Sequence, residues 1–223
     1  MAGFFNVPSD LVKVADEATV GFTGLSSAIY RSKILAVYIV ESSTSSAKAL
    51  TIQYQVPDSD RIHYESLWYQ EGRGLNTYSC KTTGAEKLLP SFTAMLDFFA
   101  AAGVDIDTVA PEPKTVKHFG TDGTYPTFMD FAGKVVDLGI RHLLKDDYKN
   151  STDVDDTHTI QLFANLEGKS GGELRNAKNA YSVDGWKKMI AKKPTLDQRK
   201  DSKGGASAPA AASESAAAPK ASW

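Results

Sequence analysis

Three consecutive segments with strand-like side-chain patterns constrain the fold of this chain more than any other feature. The first, AIYRSKILAVYIV at 28–40, is rich in β-branched and aromatic residues. The second, LTIQYQV at 50–56, alternates strictly between apolar and polar side chains. The third, RIHYESLWY at 61–69, follows the turn sequence PDSD. We therefore expect an antiparallel meander of three strands, the second of which is buried on one face only.

Beyond the meander the apolar residues recur at helical spacing. In PSFTAMLDFFAAAG at 90–103, Pro90 suits the first turn of a helix and Gly103 suits its end. Strand patterns then return. KTVKHF at 114–119 predicts a short strand, and GKVVDLGIRHLL at 133–144 and HTIQLFANL at 158–166 predict two longer ones.

Three strands, a helix and two further strands are the element order of an OB-fold, although other α+β folds share it. We predict a mainly β protein with helices, built as an OB-fold-like five-stranded Greek-key barrel with the helix between strands 3 and 4. The domain is expected to span residues 28–195, after an amino-terminal arm at 1–27. Residues 196–223 are expected to be a disordered linker and tail, since their small side chains cannot form a core.

Charge is distributed unevenly along the chain. Residues 1–174 hold 23 acidic and 15 basic residues, whereas residues 175–203 hold nine basic and three acidic ones. The basic stretch is either the solvated face of a helix or a flexible arm that neutralises phosphates. The net charge of -2 argues against tight non-specific binding to duplex DNA.

The compartment is indicated by cysteine content and hydropathy. The single cysteine, Cys80, excludes an internal disulfide and favours a reducing cytoplasm, with the thiol as a buried, unreactive group. The start, MAGFFNVPSD, lacks the basic and apolar regions of a signal peptide. The most apolar stretch, FTAMLDFFAAAGV, is too short to span a membrane and contains Asp97. We expect a soluble, cytoplasmic protein.

Signatures of catalysis and of cofactor binding are absent from the sequence. EGRGLN is followed by Thr77 where a dinucleotide loop needs its third glycine, and EGKSGG has Phe163 where a P-loop needs its first. DVDDTHTIQLFA lacks both the glycine and the bidentate acid of a calcium loop. The four histidines do not have the spacing of a zinc site. We predict no catalytic residue, no metal site and no cofactor.

Aromatic and basic side chains on the predicted strands indicate binding of a single-stranded nucleic acid, because such proteins combine cations for phosphates with aromatic faces for bases. The alternation of the 158–166 strand places Phe163 among polar residues, and Tyr69 shares a face with His63 on the third strand. Each aromatic either stacks on a base, fills the core or anchors a loop. The candidate nucleic-acid-binding residues are Arg31, Lys33, His63, Trp68, Tyr69, Arg73, Tyr78, Lys81 and Phe163.

Four features carry a resemblance to a known family. They are SKILAVYIVESS, RIHYESLWY, YPTFMDFAGKVVDLGIRHLL and the basic region with its small-residue tail. Over roughly residues 25–195 the chain resembles the phage-encoded single-stranded DNA-binding proteins. The resemblance implies an OB-fold that coats single strands during phage replication, recombination or repair. It implies no catalytic residues, and it places the protein in the cytoplasm of an infected host cell.

The resemblance also implies a function for the tail. Single-stranded DNA-binding proteins often end in a disordered linker, an acidic stretch and a terminal aromatic that docks into partner proteins. The linker and the terminal aromatic, Trp223, are present here, and the acidic stretch is missing. Trp223 is therefore a candidate partner-binding residue for replication or recombination proteins. The alternative is an incidental last residue on a solubilising tail.

Two other classes of function compete with nucleic-acid binding. A structural or virion-assembly protein would use its strands as a protein interface and would have no nucleic-acid affinity. A metal-dependent enzyme would use the carboxylates of Asp153, Asp155 and Asp156. The first predicts self-assembly into large particles, and the second predicts a thermal shift on adding metal.

Overall fold

The computed structural model describes residues 25–146 and 154–199, which form a mainly β protein. The strands are β1 (Ala28–Glu41), β2 (Lys48–Gln55), β3 (His63–Gln70), β4 (Thr77–Ser79), β5 (Glu86–Leu88), β6 (Glu112–His118), β7 (Thr121–Thr127), β8 (Val135–Asp146), β9 (Val154–Ala164) and β10 (Thr195–Asp197). The helices are α1 (Pro90–Ala101), α2 (Gly171–Arg175) and α3 (Ser182–Lys192), with a 3-10 helix at Met129–Phe131.

Eight of these strands form one sheet, in which the five longest lie in the order β3–β2–β1–β8–β9. All four pairings within this series are antiparallel. β10 adds to the second half of β8 as a parallel strand. β6 and β7 form a hairpin that joins the sheet through Tyr38 of β1. β4 and β5 form a separate two-stranded hairpin directly after β3.

β1 is the central strand and changes neighbours halfway along its length. One edge pairs with β8 over residues 28–33 and then with β7 at Tyr38. The other edge pairs with β2 over residues 33–41. A β-bulge at Leu35 adds one residue to β1 opposite β2, and bulges increase the local twist of a strand. The strand can therefore contribute to both halves of a strongly curved sheet.

The curvature brings β3 and β9, the two ends of the five-strand series, close together. No backbone pairing joins them within the described residues, but α1 packs against both strands. Side chains also bridge them: the Glu65 carboxylate of β3 accepts hydrogen bonds at 3.3 Å from the Thr159 hydroxyl and the Ile160 N–H of β9. The sheet is thus curled upon itself without closing into a continuous hydrogen-bonded barrel.

The concave side of the sheet holds the main hydrophobic core, whose centre is aromatic. Phe98 and Phe99 of α1 pack on Phe131 of the 3-10 helix, and all three are buried. The Phe98 and Phe131 rings are stacked with centroids 4.8 Å apart, while Phe99 meets Phe131 edge-on at the same separation. These are the offset and T-shaped arrangements that aromatic rings favour.

Two elements pack on the convex side. The β6–β7 hairpin lies over β1, where Val116 packs against Ala36 and Tyr38 in a second small core. α3 lies over β8, where the Trp186 ring faces Gly139. A Cβ atom at position 139 would lie 3.2 Å from that ring and 2.7 Å from the Cβ of Leu162. Glycine is needed there because Leu162 of the neighbouring strand and the Trp186 ring both crowd the strand backbone.

The predicted mainly β architecture is confirmed. The strands expected at 28–40, 61–69, 133–144 and 158–166 correspond to β1, β3, β8 and β9, and the helix expected at 90–103 is α1. Gly103 follows that helix with φ of +61°, the left-handed conformation that suits a helix end. The prediction of five strands is wrong, because the described residues contain ten. The β4–β5 hairpin precedes α1, and the segment at 114–119 lies within a hairpin rather than forming an isolated strand.

The prediction that β2 is buried on one face only is also wrong. Thr51 and Gln53, on its polar face, are 0% and 6% exposed. The β6–β7 hairpin covers this face: the Gln53 amide donates to the Tyr38 hydroxyl and to the Lys117 carbonyl. The strand alternates as expected, but its polar face contacts another hairpin instead of water.

The limits of the folded part differ slightly from those expected. β10 pairs with β8 through Asp197, two residues beyond the predicted boundary at 195. Residues 1–24 of the predicted arm and 200–223 of the predicted tail lie outside the described residues. No helix in the described part of the chain is long and apolar enough to cross a membrane.

Candidate nucleic-acid interface

The convex face of β3 presents a row of three side chains, Tyr64, Ser66 and Trp68, which we call the outer strip. Their cross-strand partners on β2 are Gln53, Thr51 and Ala49, and the Thr51 and Ser66 hydroxyls are hydrogen-bonded at 3.2 Å. Trp68 is 47% exposed. The predicted site residue Trp68 therefore lies on the surface. A ligand that covered the exposed half of its ring would gain the free energy of burying that apolar surface.

The tip of the β6–β7 hairpin adds a second exposed aromatic beside the outer strip. Phe119 is 65% exposed, and its ring lies 4.5 Å, centroid to centroid, from that of Tyr64. The preceding His118 is held by a 2.8 Å hydrogen bond to the Tyr38 hydroxyl. Tyr64 and Phe119 were not among the residues predicted from sequence. The period-two pattern of β3 could have identified Tyr64, because it shares a face with Trp68.

The β4–β5 hairpin carries further predicted residues. Tyr78 is 38% exposed and lies opposite Lys87 across the hairpin, so an aromatic face and an ammonium group are cross-strand neighbours. Arg73 and Lys81 are exposed at the two ends of this segment. Cys80 is half-buried rather than fully buried, and hydrogen bonds with Thr83 and Thr82 lower the pKa of its thiol.

The base of that hairpin is fixed to the sheet by a close backbone contact. A Cβ atom on Gly72 would lie 2.0 Å from the carbonyl oxygen of Ser45, in the turn between β1 and β2. Only glycine allows this approach. The segment that carries Arg73 is therefore positioned next to the β1–β2 turn.

Arg31 and Lys33 lie on the convex face of β1, but in a groove of mixed charge. Arg31 makes a 3.1 Å ion pair with Asp137 of β8, and the hydrogen bonds of this pair raise the pKa of the guanidinium. Asp58 and Asp60 line the same groove, whose volume is about 360 Å³. The two cations are thus surrounded by carboxylates, which weakens their attraction for phosphate.

The structure contradicts the expected exposure of Phe163 and His63. Phe163 is 4% exposed and lies 5.3 Å from the Phe98 ring in the aromatic core. A bulge at Gln161 is the reason: Leu162 pairs with Gly139 and Ile160 pairs with Ile140, so one extra residue reverses the alternation. His63 is 5% exposed. Tyr69, on the same side of β3, is half-buried against the core.

His63 belongs to a polar cluster with Tyr54 and His158, which are also buried, and with Glu65, which is half-buried. His158 accepts a hydrogen bond at Nδ1 from the Leu25 N–H (3.3 Å). In the neutral ring Nε2 therefore carries the proton and donates to the Tyr54 hydroxyl (2.9 Å). The His63 ring stacks on Tyr54 at 5.5 Å and meets His158 edge-on at 5.3 Å. Both of its nitrogens are buried without a hydrogen-bond partner in the described structure.

Burial sets the ionisation of this polar cluster. It lowers the pKa of His63 to about 4, assisted by the charges of His158 and Arg61. It also lowers the pKa of His158. It raises the pKa of Glu65 to about 7, against the opposing effect of the hydrogen bonds from Ile160 and Thr159. The histidines are therefore neutral at pH 7, while Glu65 is only partly ionised.

The basic stretch from residue 175 is folded as far as the structure describes it, rather than being a flexible arm. Trp186 of α3 is buried on the sheet, so the helix turns its polar face outward. Two arginines of the stretch form ion pairs, Arg175 with Asp97 at 2.6 Å and Arg199 with Asp197. Four lysines of α3 and its end are exposed: Lys187, Lys188, Lys192 and Lys193.

The remaining predictions concern metals, enzymes and the tail. Within residues 25–146 and 154–199 no group of three or more His, Cys, Asp or Glu side chains is arranged to hold a metal ion. Asp155 is paired with Lys145 at 3.1 Å and Asp156 with His142 at 2.7 Å. Asp153 and Trp223 lie outside the described residues.

Comparison of the chain with protein-family models, with curated proteins and with solved structures found no match. A function for this chain must therefore be inferred from its own surfaces.

Proposed function

We propose that this protein binds single-stranded DNA without chemical turnover, along the outer strip of β3, the β6–β7 hairpin tip and the β4–β5 hairpin. The observation that carries the proposal is the exposure of Trp68 on the same strand face as Tyr64, whose ring in turn contacts the exposed Phe119 ring at 4.5 Å. Residues Tyr64 and Trp68 are four positions apart, or roughly 13 Å along a strand. Unpaired bases can stack on such faces whatever their sequence.

The arrangement of the longest strands supports an OB-fold-like interpretation of the domain. Counting only those five strands, their order in the sheet is 3-2-1-4-5, and α1 lies between the third and the fourth. This is the arrangement of a partly open five-stranded Greek-key barrel, a fold that commonly binds oligonucleotides on its outer surface. The β4–β5 and β6–β7 hairpins are additions in the connections before and after α1.

The expected affinity combines stacking with a modest electrostatic contribution. Each stacked base contributes roughly 1–3 kcal/mol. The exposed cations nearest to the outer strip along the chain are Arg61, three residues before Tyr64, and Arg73, five residues after Trp68, and Lys81 and Lys87 follow in the next segment. The overall net charge of -2 disfavours duplex DNA, where backbone contacts supply nearly all of the non-specific affinity. Binding to single strands is thus expected to be preferred and moderately sensitive to salt.

The test is a fluorescence-anisotropy titration of a labelled dT oligonucleotide at low and high salt, with a duplex of equal length as the control. Trp68→Ala should weaken single-strand binding by about 5- to 150-fold, the loss of one stacked base. Tyr181→Ala is a matched control, because Tyr181 is 63% exposed next to α3 and away from the outer strip. Absence of single-strand binding by the natural chain at low salt, especially with self-assembly into particles, would refute the proposal and favour a structural role.

The cellular role follows from the same proposal: coating of single strands during phage replication, recombination or repair in the cytoplasm of the host. Trp223 would then dock into a replication or recombination protein. Deleting the last few residues should weaken binding to such partners in a pull-down from infected cells while leaving the dT affinity unchanged. Equal capture of partners by the truncated and complete chains would remove this assignment for Trp223.

A further inference from the structure

The β6–β7 hairpin turns through two residues, Phe119 and Gly120, with φ of +46° and +88°. Positive φ at both central positions is the type I′ geometry, which matches the twist of the flanking strands and strongly favours Asn-Gly. A bulky residue in the first position is strained, since its Cβ is crowded in the left-handed region. The chain therefore places a phenylalanine where its own backbone disfavours one.

The strain is not offset by burial. Phe119 is 65% exposed, and its ring contacts are with Tyr64 and, edge-on at 4.6 Å, with His118. The hairpin is fastened to the sheet by other groups, namely Val116 in the second core and the Tyr38–His118 hydrogen bond. Folding does not account for this aromatic, and strained exposed residues are more frequent at functional sites.

We propose that Phe119, supported from below by Tyr64, is a stacking site for one unpaired nucleobase. This inference rests on the proposed binding of single-stranded DNA, and it assigns a specific contact to a residue at the end of the outer strip. Tyr64 limits the rotation of the Phe119 ring, so one ring face remains available to a base. The tilt of 31° between the two rings and their 4.5 Å separation leave no space for a base between them, so the base stacks on the outer face of Phe119.

The surroundings of Phe119 favour a single planar base over a protein partner. Its neighbours in the turn and the following strand are Gly120, Thr121 and Asp122, which are exposed and not apolar. Protein hot spots lie in well-packed patches surrounded by other contacts that exclude water. Beyond its contacts with Tyr64 and His118, Phe119 at the hairpin tip lacks such a rim, whereas stacking of a base needs only the free ring face.

The decisive variant is Phe119→Asn, because it should separate stability from binding. Asparagine suits the type I′ turn, so the melting temperature should stay the same or rise by about 2–4 °C. Affinity for a dT oligonucleotide should fall by about 5- to 150-fold. The slope of affinity against salt should not change, since no phosphate contact is lost. Phe119→Trp should retain binding, because tryptophan also offers a stacking face.

A stacked base can also be detected directly. An oligonucleotide with 2-aminopurine at successive positions should show quenching by the natural chain that Phe119→Asn relieves at one position. If the natural chain binds the oligonucleotide and Phe119→Asn binds it equally well, the stacking site is refuted while the proposed function stands. If the natural chain does not bind at all, both fail. A change in self-association on Phe119→Asn, with DNA affinity unchanged, would assign the residue to a protein interface and overturn the inference.

Discussion

The interior of the curled sheet contains two regions that are held together by different kinds of contact. The aromatic region, formed by Phe98, Phe99, Phe128, Phe131 and Phe163, is sealed by ring packing under α1. The polar region, formed by Tyr54, His63, Glu65 and His158, is joined by side-chain hydrogen bonds and ring contacts. The polar region joins β3 to β9 through Glu65, and the aromatic region includes two rings of α1, which packs against both of these strands. β3 and β9 are the strands that would have to pair to complete a barrel.

The gap between β3 and β9 is therefore stabilised by two kinds of contact that respond differently to loss of side-chain volume and to pH. Ring packing is insensitive to pH and fails when volume is removed. Buried polar contacts depend on every member having a partner and on which protons are bound. Substitutions in the two regions should therefore differ in size and in pH dependence.

The largest effect is expected in the aromatic region. Phe98→Ala would remove a ring that is 0% exposed and touches Phe131 and Phe163. The loss in free energy of unfolding should be about 3–5 kcal/mol, equal at pH 5 and pH 8. Urea denaturation measures it, with Leu166→Ala as a control that should change stability by no more than about 0.5 kcal/mol, because Leu166 is 51% exposed. A cost below about 1 kcal/mol for Phe98→Ala would mean that α1 is not packed as described.

A smaller loss is expected when one hydrogen bond of the polar region is removed. Tyr54→Phe keeps the ring that stacks on His63 but leaves Nε2 of His158 without its partner at 2.9 Å. The cost should be about 1–3 kcal/mol, the penalty of an unsatisfied buried group. Tyr30→Phe is the matched control, because its hydroxyl bonds to Ser26 at an exposed position. Equal effects of the two substitutions would contradict the importance of the buried bond.

Much of the fold could be predicted from sequence because most of the long strands and α1 have clear periods. The periodicity failed where a single bulge intervened. The extra residue at Gln161 reverses the faces of β9, so Phe163, which the alternation predicted to be exposed, is buried in the structure. A bulge leaves no reliable mark in one sequence, since it depends on the partner strand. β7 was missed for another reason, because TDGTYPT is a mostly polar strand with a glycine and a proline.

The candidate site was predictable only in part. Trp68 and Tyr78 were identified from their types and places, and both are exposed. The partnership of Tyr64 with Phe119 depends on the β6–β7 hairpin folding back over the sheet, a contact between segments far apart in sequence. The pairing of Arg31 with Asp137 depends likewise on the β1–β8 register. Local patterns do not contain such long-range information.

The dependence of the free energy of unfolding on pH should distinguish the Glu65 carboxyl of the polar region from the histidines of that region. Burial raises the pKa of Glu65 to about 7, so the folded state holds this proton more tightly than the unfolded chain. The associated stability is complete below about pH 4.5 and is lost as pH rises through about 7. Glu65→Gln should be more stable than the natural chain at pH 8 by about 1 kcal/mol, since glutamine can still accept from the Ile160 N–H. Urea titrations at pH 5 and pH 8 measure this difference, and an unchanged pH slope would contradict the assignment.

The smallest effect is expected at His63, and it has the opposite pH dependence. Burial lowers the pKa of His63 to about 4, so the unfolded chain binds this proton more tightly. The associated stability is complete above about pH 6.5 and is lost as pH falls through about 4. His63→Phe keeps the stacking surface on Tyr54 and removes two buried nitrogens that have no partner in the described structure. At pH 7 it should be neutral or stabilising by up to about 1 kcal/mol, and at pH 5 it should be the more stable chain. A loss of stability at both pH values would mean that water or another group hydrogen-bonds the His63 nitrogens. Every polar group of this region would then have a partner, just as every ring of the aromatic region is packed.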